Sequence, residues 1–158
     1  MTSGTNQTAY VDVFLILLRD SGRQALTALR GPVSWAPHVW NLPSGKADVG
    51  EDVVTAVIRE SAEEVGVTLA PDDVRLAGVV HLHPVDSRPR VGFAFVVDHD
   101  PQRHGEPYNA EPDKCDELRW VALDEVPQPF SQYSGAALRL HVTGERLTIM
   151  RRTALATS

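Results

Sequence analysis

A single cysteine, Cys115, leaves the chain without an internal disulfide, so a reducing, cytoplasmic setting is expected. No apolar run approaches the length of a membrane span, which argues against a membrane protein. The opening residues, "MTSGTNQTAY", lack the basic and then apolar profile of a secretion signal. Positive charge is also scarce: 15 Lys and Arg against 21 Asp and Glu give a net charge of −6. That balance argues against polymeric nucleic acid and acidic membranes as partners. It leaves room for a single nucleotide whose phosphates are screened by a cation. Repeats, heptads and long low-complexity tracts are absent, and 158 residues suit one domain, 1–158, with its core at about 9–143.

What is present alternates between strand and helix patterns. "AYVDVFLILLR" (9–19) is β-branched and apolar, and predicts a buried strand; "QALTALR" (24–30) predicts its partner across the turn "DSGR". The segment 31–45 reads as a loop with three prolines and two tryptophans, Trp35 and Trp40. A helix follows, with Asp52 as N-cap and Gly66 just past its end. Strands are expected at 74–85 and 90–100, joined by "DSRP", and at 117–123 after a polar loop, 101–115. Ser131 caps a second helix over 131–142, which ends before Gly144. "RLTIMRR" fits either a last strand or a tail. Together these predict an α/β protein, a mixed sheet with a helix on each face.

The first helix carries the chemistry. At about 100° per residue, Val54, Val57, Ile58, Ser61 and Val65 fall on one stripe facing the sheet. Glu60, Glu63 and Glu64 crowd a neighbouring face, where like charges three and four residues apart repel. Most charge runs are simply solvated faces. A bound cation would reverse the local electrostatics, and oxygen ligands without Cys or His favour Mg²⁺ or Mn²⁺ over zinc. Mg²⁺ is usually completed by substrate phosphates, so the cluster points to phosphate chemistry.

The spacing resembles the Nudix box, G-x5-E-x7-R-E-U-x-E-E-x-G-U, through Gly45, Glu51, Arg59, Glu60, Glu63, Glu64 and Gly66. Seven such matches arise by chance on the order of once in a million or less. Val67 fits the last aliphatic position, Ser61 departs from the first, and Ser44 stands where many relatives carry glycine. The resemblance implies an α/β/α sandwich with a loop–helix–loop catalytic motif. It implies Glu60 and Glu64 as metal ligands, Glu63 as ligand or base, and the Ser44 carbonyl as a further ligand. Arg59 and Glu51 would form an ion pair holding the loop, and Gly45 and Gly66 would be structural. Mg²⁺ is the implied cofactor, with Mn²⁺ as substitute, and the implied reaction is hydrolysis of a nucleoside diphosphate linked to another group. Many relatives pair, so a homodimer is among the expectations.

Substrate choice lies outside the box. Residues 105–127 resemble a segment of nucleoside triphosphate diphosphatases, through Asn109, Glu111, Pro112, Lys114 and Cys115; Leu118 replaces a tryptophan. This makes a nucleoside triphosphate, including modified or oxidised purines, the leading expectation. The alternatives are a nucleoside diphosphate sugar, ADP-ribose or a dinucleotide, and a nucleotide-sensing module without turnover. Glu111, Asp116 or Glu117 could add a metal ligand or base. Trp35, Trp40, Asn109 and Arg88 are candidate substrate contacts, against bland alternatives of core packing for Trp40 and an exposed turn for Arg88 beside Arg90. His81 and His83 share one strand face, where packing is the simpler expectation, and Cys115 lacks an activating neighbour.

Overall fold

The apolar run near the N-terminus forms β1 (Tyr10–Arg19), whose residues 12–18 are all buried. Alternate side chains go to opposite faces. Val13, Leu15 and Leu17 enter one core cluster, and Phe14, Ile16 and Leu18 the other. The computed structural model describes residues 6–33, 35–84 and 87–151. Around β1 it builds an eight-stranded mixed sheet from β2 (Gln24–Arg30), β3 (Trp40–Asn41), β4 (Ser44–Lys46), β5 (Arg75–His83), β6 (Arg90–Asp98), β7 (Cys115–Ala122) and β8 (Leu147–Arg151). The order is β3-β2-β1-β6-β5-β8, with β4 on β1 and β7 on β2.

One edge of β1 runs parallel to β6 for nine residue pairs. Its other edge is divided: β4 pairs at Asp12–Phe14, and β2 pairs only at Leu18 and Arg19. The sheet therefore forks between β2 and β4, and the fork opens the space used below.

A helix covers each face. Helix α1 (Val53–Val65) packs against the cluster of Val13, Leu15 and Leu17; Asp52 caps it, accepting from the Thr55 N–H at 2.9 Å, and Gly66 ends it in the left-handed region at φ 70°. The buried stripe is Ala56, Val57, Ser61 and Val65, centred one residue from the expected one because Ala56 contributes little hydrophobic signal. Ser61 fits the aliphatic position by donating its hydroxyl to the Val57 carbonyl at 2.6 Å, leaving no unpaired polar atom. The other face holds α3 (Gln132–Thr143), capped by Ser131, with Ala137, Leu138 and Leu140 buried. Each buried Leu or Val removes apolar area worth roughly 1.5–3 kcal/mol, so the two-sided core dominates the fold's stability.

Several expectations change. The 31–45 loop contains β3 and the start of β4, both too short to register as strands by themselves. The polar segment at 101 starts with a one-turn helix, α2 (Pro101–His104). Residues 147–151 form the edge strand β8, parallel to β5. Val85 and Asp86, in the expected strand end and turn before β6, lie outside the described residues.

Candidate active site

Gly45 is where the sheet and α1 meet most closely. A Cβ on Gly45 would overlap the carboxyl group of Glu60, so only glycine lets that side chain lie against β4. One residue earlier, the Ser44 N–H donates to Glu64 Oε2 at 3.0 Å. The helix thus lays two carboxylates along three residues of β4.

Arg59 organises the motif. Its guanidinium donates twice to Glu51, at 2.8 and 2.9 Å, and once to the Lys46 carbonyl at 3.0 Å. It also reaches Glu60 at 2.9 Å and Glu63 at 3.2 Å. The fork geometry makes this more than a surface pair, and it holds the Glu51 carboxyl down at about 2 through its hydrogen bonds. Glu51 in turn accepts from the Asp48 N–H at 3.0 Å, fixing the loop ahead of the helix.

Glu60 and Glu64 respond differently. Burial raises both; Glu60 has the Arg59 partner to oppose this, whereas Glu64 is pushed up to about 8, with Glu60 and Glu111 adding to the rise. Glu63 is half exposed. Among the described residues no group of three acidic, His or Cys side chains closes into a cage. The carboxylates form instead an open row. Its all-oxygen donors, and the poorly compensated charge of Glu64, suit a hard divalent ion that keeps water or phosphate on its free side.

The remaining wall comes from a loop tied to the end of α1. Tyr108 and Ala110 donate to the carbonyls of Val65 and Glu64, at 3.0 and 3.2 Å, and Tyr108 packs its ring where a Cβ on Gly66 would be. Glu111 and Lys114 follow, 3.4 Å apart, completing a cavity of about 250 Å³ with Glu60, Glu63 and Glu64. Cys115 lines the same cavity as a protonated thiol, its titration raised by burial.

A second cavity, about 650 Å³, lies beside it on the α3 face, and the two share Arg30, Asn41, Ser44 and Gly45. Trp35 and Arg88 line this second space; Trp35 is 65% exposed. Trp40 lines neither cavity: it is buried beneath the Arg119 guanidinium, 4.5 Å from its ring centroid, so it belongs to the core. Asn109 lines neither; its amide donates to the Cys115 carbonyl at 2.7 Å and accepts from the Glu111 N–H at 3.2 Å, shaping the loop that presents Glu111. Asp116 faces His38 at 3.6 Å and Glu117 pairs with Arg119 at 2.7 Å, so Glu111 alone of the three acids lines the acidic cavity. His81 and His83 pack against each other, ring centroids 5.0 Å apart, and line neither cavity.

Arg30 was invisible to the sequence reading. It ends β2, its guanidinium lies 5.1 Å from the Trp35 ring, and its Nε is buried without a hydrogen-bond partner among the described residues. A cation with an unused donor between the two cavities is suited to an anionic ligand. No pattern along the chain marks it; only the fork of the sheet does.

The Nudix domain model matches residues 9–140. The chain belongs to the Nudix family. Among solved structures it is similar to a MutT Nudix hydrolase from Burkholderia pseudomallei, at 31% identity and TM-score 0.72, covering 85% of this chain and 98% of that one. The ORF135 protein of Escherichia coli shares the fold at 23% identity and TM-score 0.69, covering 87% and 91%. Phosphatase NudJ of Escherichia coli K12 is 26% identical over 114 residues, 68% of this chain and 69% of that protein. This Nudix domain is a MutT-like hydrolase with the family's mixed sheet. Among the described residues no helix is long and apolar enough to cross a membrane.

Proposed function

We propose that this Nudix hydrolase cleaves the phosphoanhydride of a nucleoside triphosphate, giving the monophosphate and pyrophosphate in a magnesium-dependent reaction. The observation that carries the reading is the paired cavity: a row of carboxylates, Glu60, Glu63, Glu64 and Glu111, opens onto a space large enough for a nucleoside. Carboxylates alone would repel a polyphosphate, so the pairing needs a divalent ion between them. Glu60, Glu64 and the Ser44 carbonyl would hold it, with Glu111 lining the same cavity. When bound, Mg²⁺ or Mn²⁺ would neutralise the diphosphate and favour in-line attack of water at phosphorus.

The chain's own residues do the rest. Glu63, half exposed beside Glu60 and Glu64, would orient the attacking water and accept its proton. Arg59 restrains Glu60 and Glu63 through one nitrogen and so keeps the row aligned. Arg30 and Lys114, which line the same cavity, would bring positive charge to the phosphates. Trp35 offers a flat, exposed face to a base.

Incubation with a panel of nucleotides and Mg²⁺, followed by chromatography of the products, tests the reading. Monophosphate and pyrophosphate are expected from a triphosphate. Release of inorganic phosphate would overturn the bond assignment. Cleavage confined to diphosphate sugars or dinucleotides would move the substrate to the other enzymatic alternative. Tight nucleotide binding without cleavage would make the domain a sensor.

A further inference from the structure

The sheet ends at β8, whose outer edge has no strand partner among the described residues. Open edges pair readily with further strands, and proteins that stay single blunt them with proline or with charge along the edge. β8 reads "LTIMR", with no proline and no charge before Arg151. Leu147 and Ile149 are 57% and 51% exposed. One exposed aliphatic side chain is ordinary, but here two stand side by side at an open edge.

The backbone shows which groups of β8 remain to be paired. The Val79 N–H donates to the Arg146 carbonyl at 2.9 Å, so Arg146, Thr148 and Met150 turn their N–H and C=O groups towards β5. Leu147, Ile149 and Arg151 turn theirs outwards. Side chains alternate between the faces of the sheet: Met150 packs into the cluster beneath α3, which sets Thr148 on that face and Leu147, Ile149 and Arg151 on the other. Helix α1 covers this other face over β1 and β4, leaving Leu147 and Ile149 uncovered.

A second copy of this chain satisfies the edge in one register. A two-fold axis perpendicular to the sheet keeps each face continuous, so some residue must lie opposite its own copy. Centred on Thr148, the axis sets Leu147 opposite Ile149 of the second copy and Glu145 opposite Arg151 of the second copy, each pair occurring twice. Apolar then meets apolar, and opposite charges meet. Centred on Ile149, the axis would set Leu147 opposite the charged Arg151. The first register also makes Leu147 and Ile149 a hydrogen-bonded pair through their outward groups. Thr148 falls at the non-hydrogen-bonded position, where opposing Cα atoms approach to about 4.5 Å.

We propose that this edge is an interface: two copies of the chain join antiparallel at β8, about a two-fold axis at Thr148, into one continuous sheet. None of residues 145–151 lines either cavity, so the interface and the hydrolase reading can fail independently.

Sedimentation velocity on the full chain, over a range of concentrations, tests this. A reversible dimer is expected. E145R and R151E are each expected to weaken it about tenfold, because each sets like charges opposite one another at two symmetry-related positions. The double variant E145R/R151E is expected to restore it. Ile149→Pro removes an N–H that β5 does not use and is expected to leave a monomer. T148C is expected to give a disulfide-linked dimer under mild oxidation, whereas L147C, which faces Ile149 of the second copy, is not. A monomer at every concentration would overturn the proposal, as would a dimer indifferent to E145R and to Ile149→Pro. Dimerisation seen only after deletion of residues 152–158 would also overturn it, by showing that the chain's own tail occupies the edge.

Discussion

The two faces of the forked sheet present opposite electrostatic problems within a few residues of β4. On the α1 face, Glu60 and Glu64 lie against Gly45 and Ser44 with too little positive charge to balance them. On the α3 face, Lys46, Arg88 and Arg90 gather about Tyr10, and the one carboxylate lining that cavity among the described residues, Asp12, pairs with Arg90. The acids repel one another, whereas the cations are each drawn to the Tyr10 ring. A metal ion carrying a polyphosphate would answer the first, the cation meeting the acids. A three-residue strand separates them: alternate residues of β4 face opposite sides, so Gly45 meets α1 while the Ser44 and Lys46 side chains face the second cavity.

The largest effect belongs to the acidic face. Glu64→Gln keeps the shape but removes a negative ligand, so turnover is expected to fall by two or more orders of magnitude on every substrate alike, in steady-state assays with excess Mg²⁺. The circular dichroism spectrum is expected to stay unchanged. If kcat is retained, Glu64 is not at the metal site and the contrast between the faces fails.

Next comes the Arg90–Asp12 pair on the basic face. Arg90→Met leaves Asp12 buried without its cation and is expected to cost about 3–5 kcal/mol in urea unfolding. Lys46→Gln and Arg88→Gln lose only partly exposed ring contacts and are expected to cost about 1 kcal/mol or less each. Similar losses in all three would mean that the cluster is simply structural packing.

A smaller effect concerns acid. Glu51 titrates at about 2 in the fold because of Arg59, below the ordinary value of about 4.5 for an unfolded chain. Above 4.5 both states are ionised, and the folded state carries the full benefit of the ion pair. As pH falls from 4.5 towards 2, the unfolded state takes up the proton first and stability declines. Glu51→Gln is expected to flatten this part of the profile in thermal melts between pH 2 and 5. An unchanged slope would show that Arg59 holds the loop by other contacts.

Much of the acidic face was legible in the sequence, and little of the basic one. Asp52 and Gly66 announce the ends of α1 through cap chemistry, and the spacing of its acids is a property of one continuous helix. Local patterns of this kind survive in one dimension. The strand β4 does not, because its three residues are a strand only through pairing with Asp12–Phe14 some thirty positions earlier. Trp35 and Trp40 look alike in the chain, yet the β2–β3 pairing buries Trp40 and leaves Trp35 in the open. Tyr10, Lys46 and the Arg88–Arg90 pair come from three separate places and meet only after β1, β4 and β6 have paired. Arg30 is equally non-local, since its importance comes from the junction of two cavities.

Manganese binding in the presence of a non-hydrolysable nucleotide analogue, followed by electron paramagnetic resonance, tests the central claim most directly. The wild type is expected to immobilise the ion at a site that Glu64→Gln and Glu60→Gln weaken at least tenfold. Equal immobilisation in all three proteins would contradict the claim that these two helical carboxylates hold the ion.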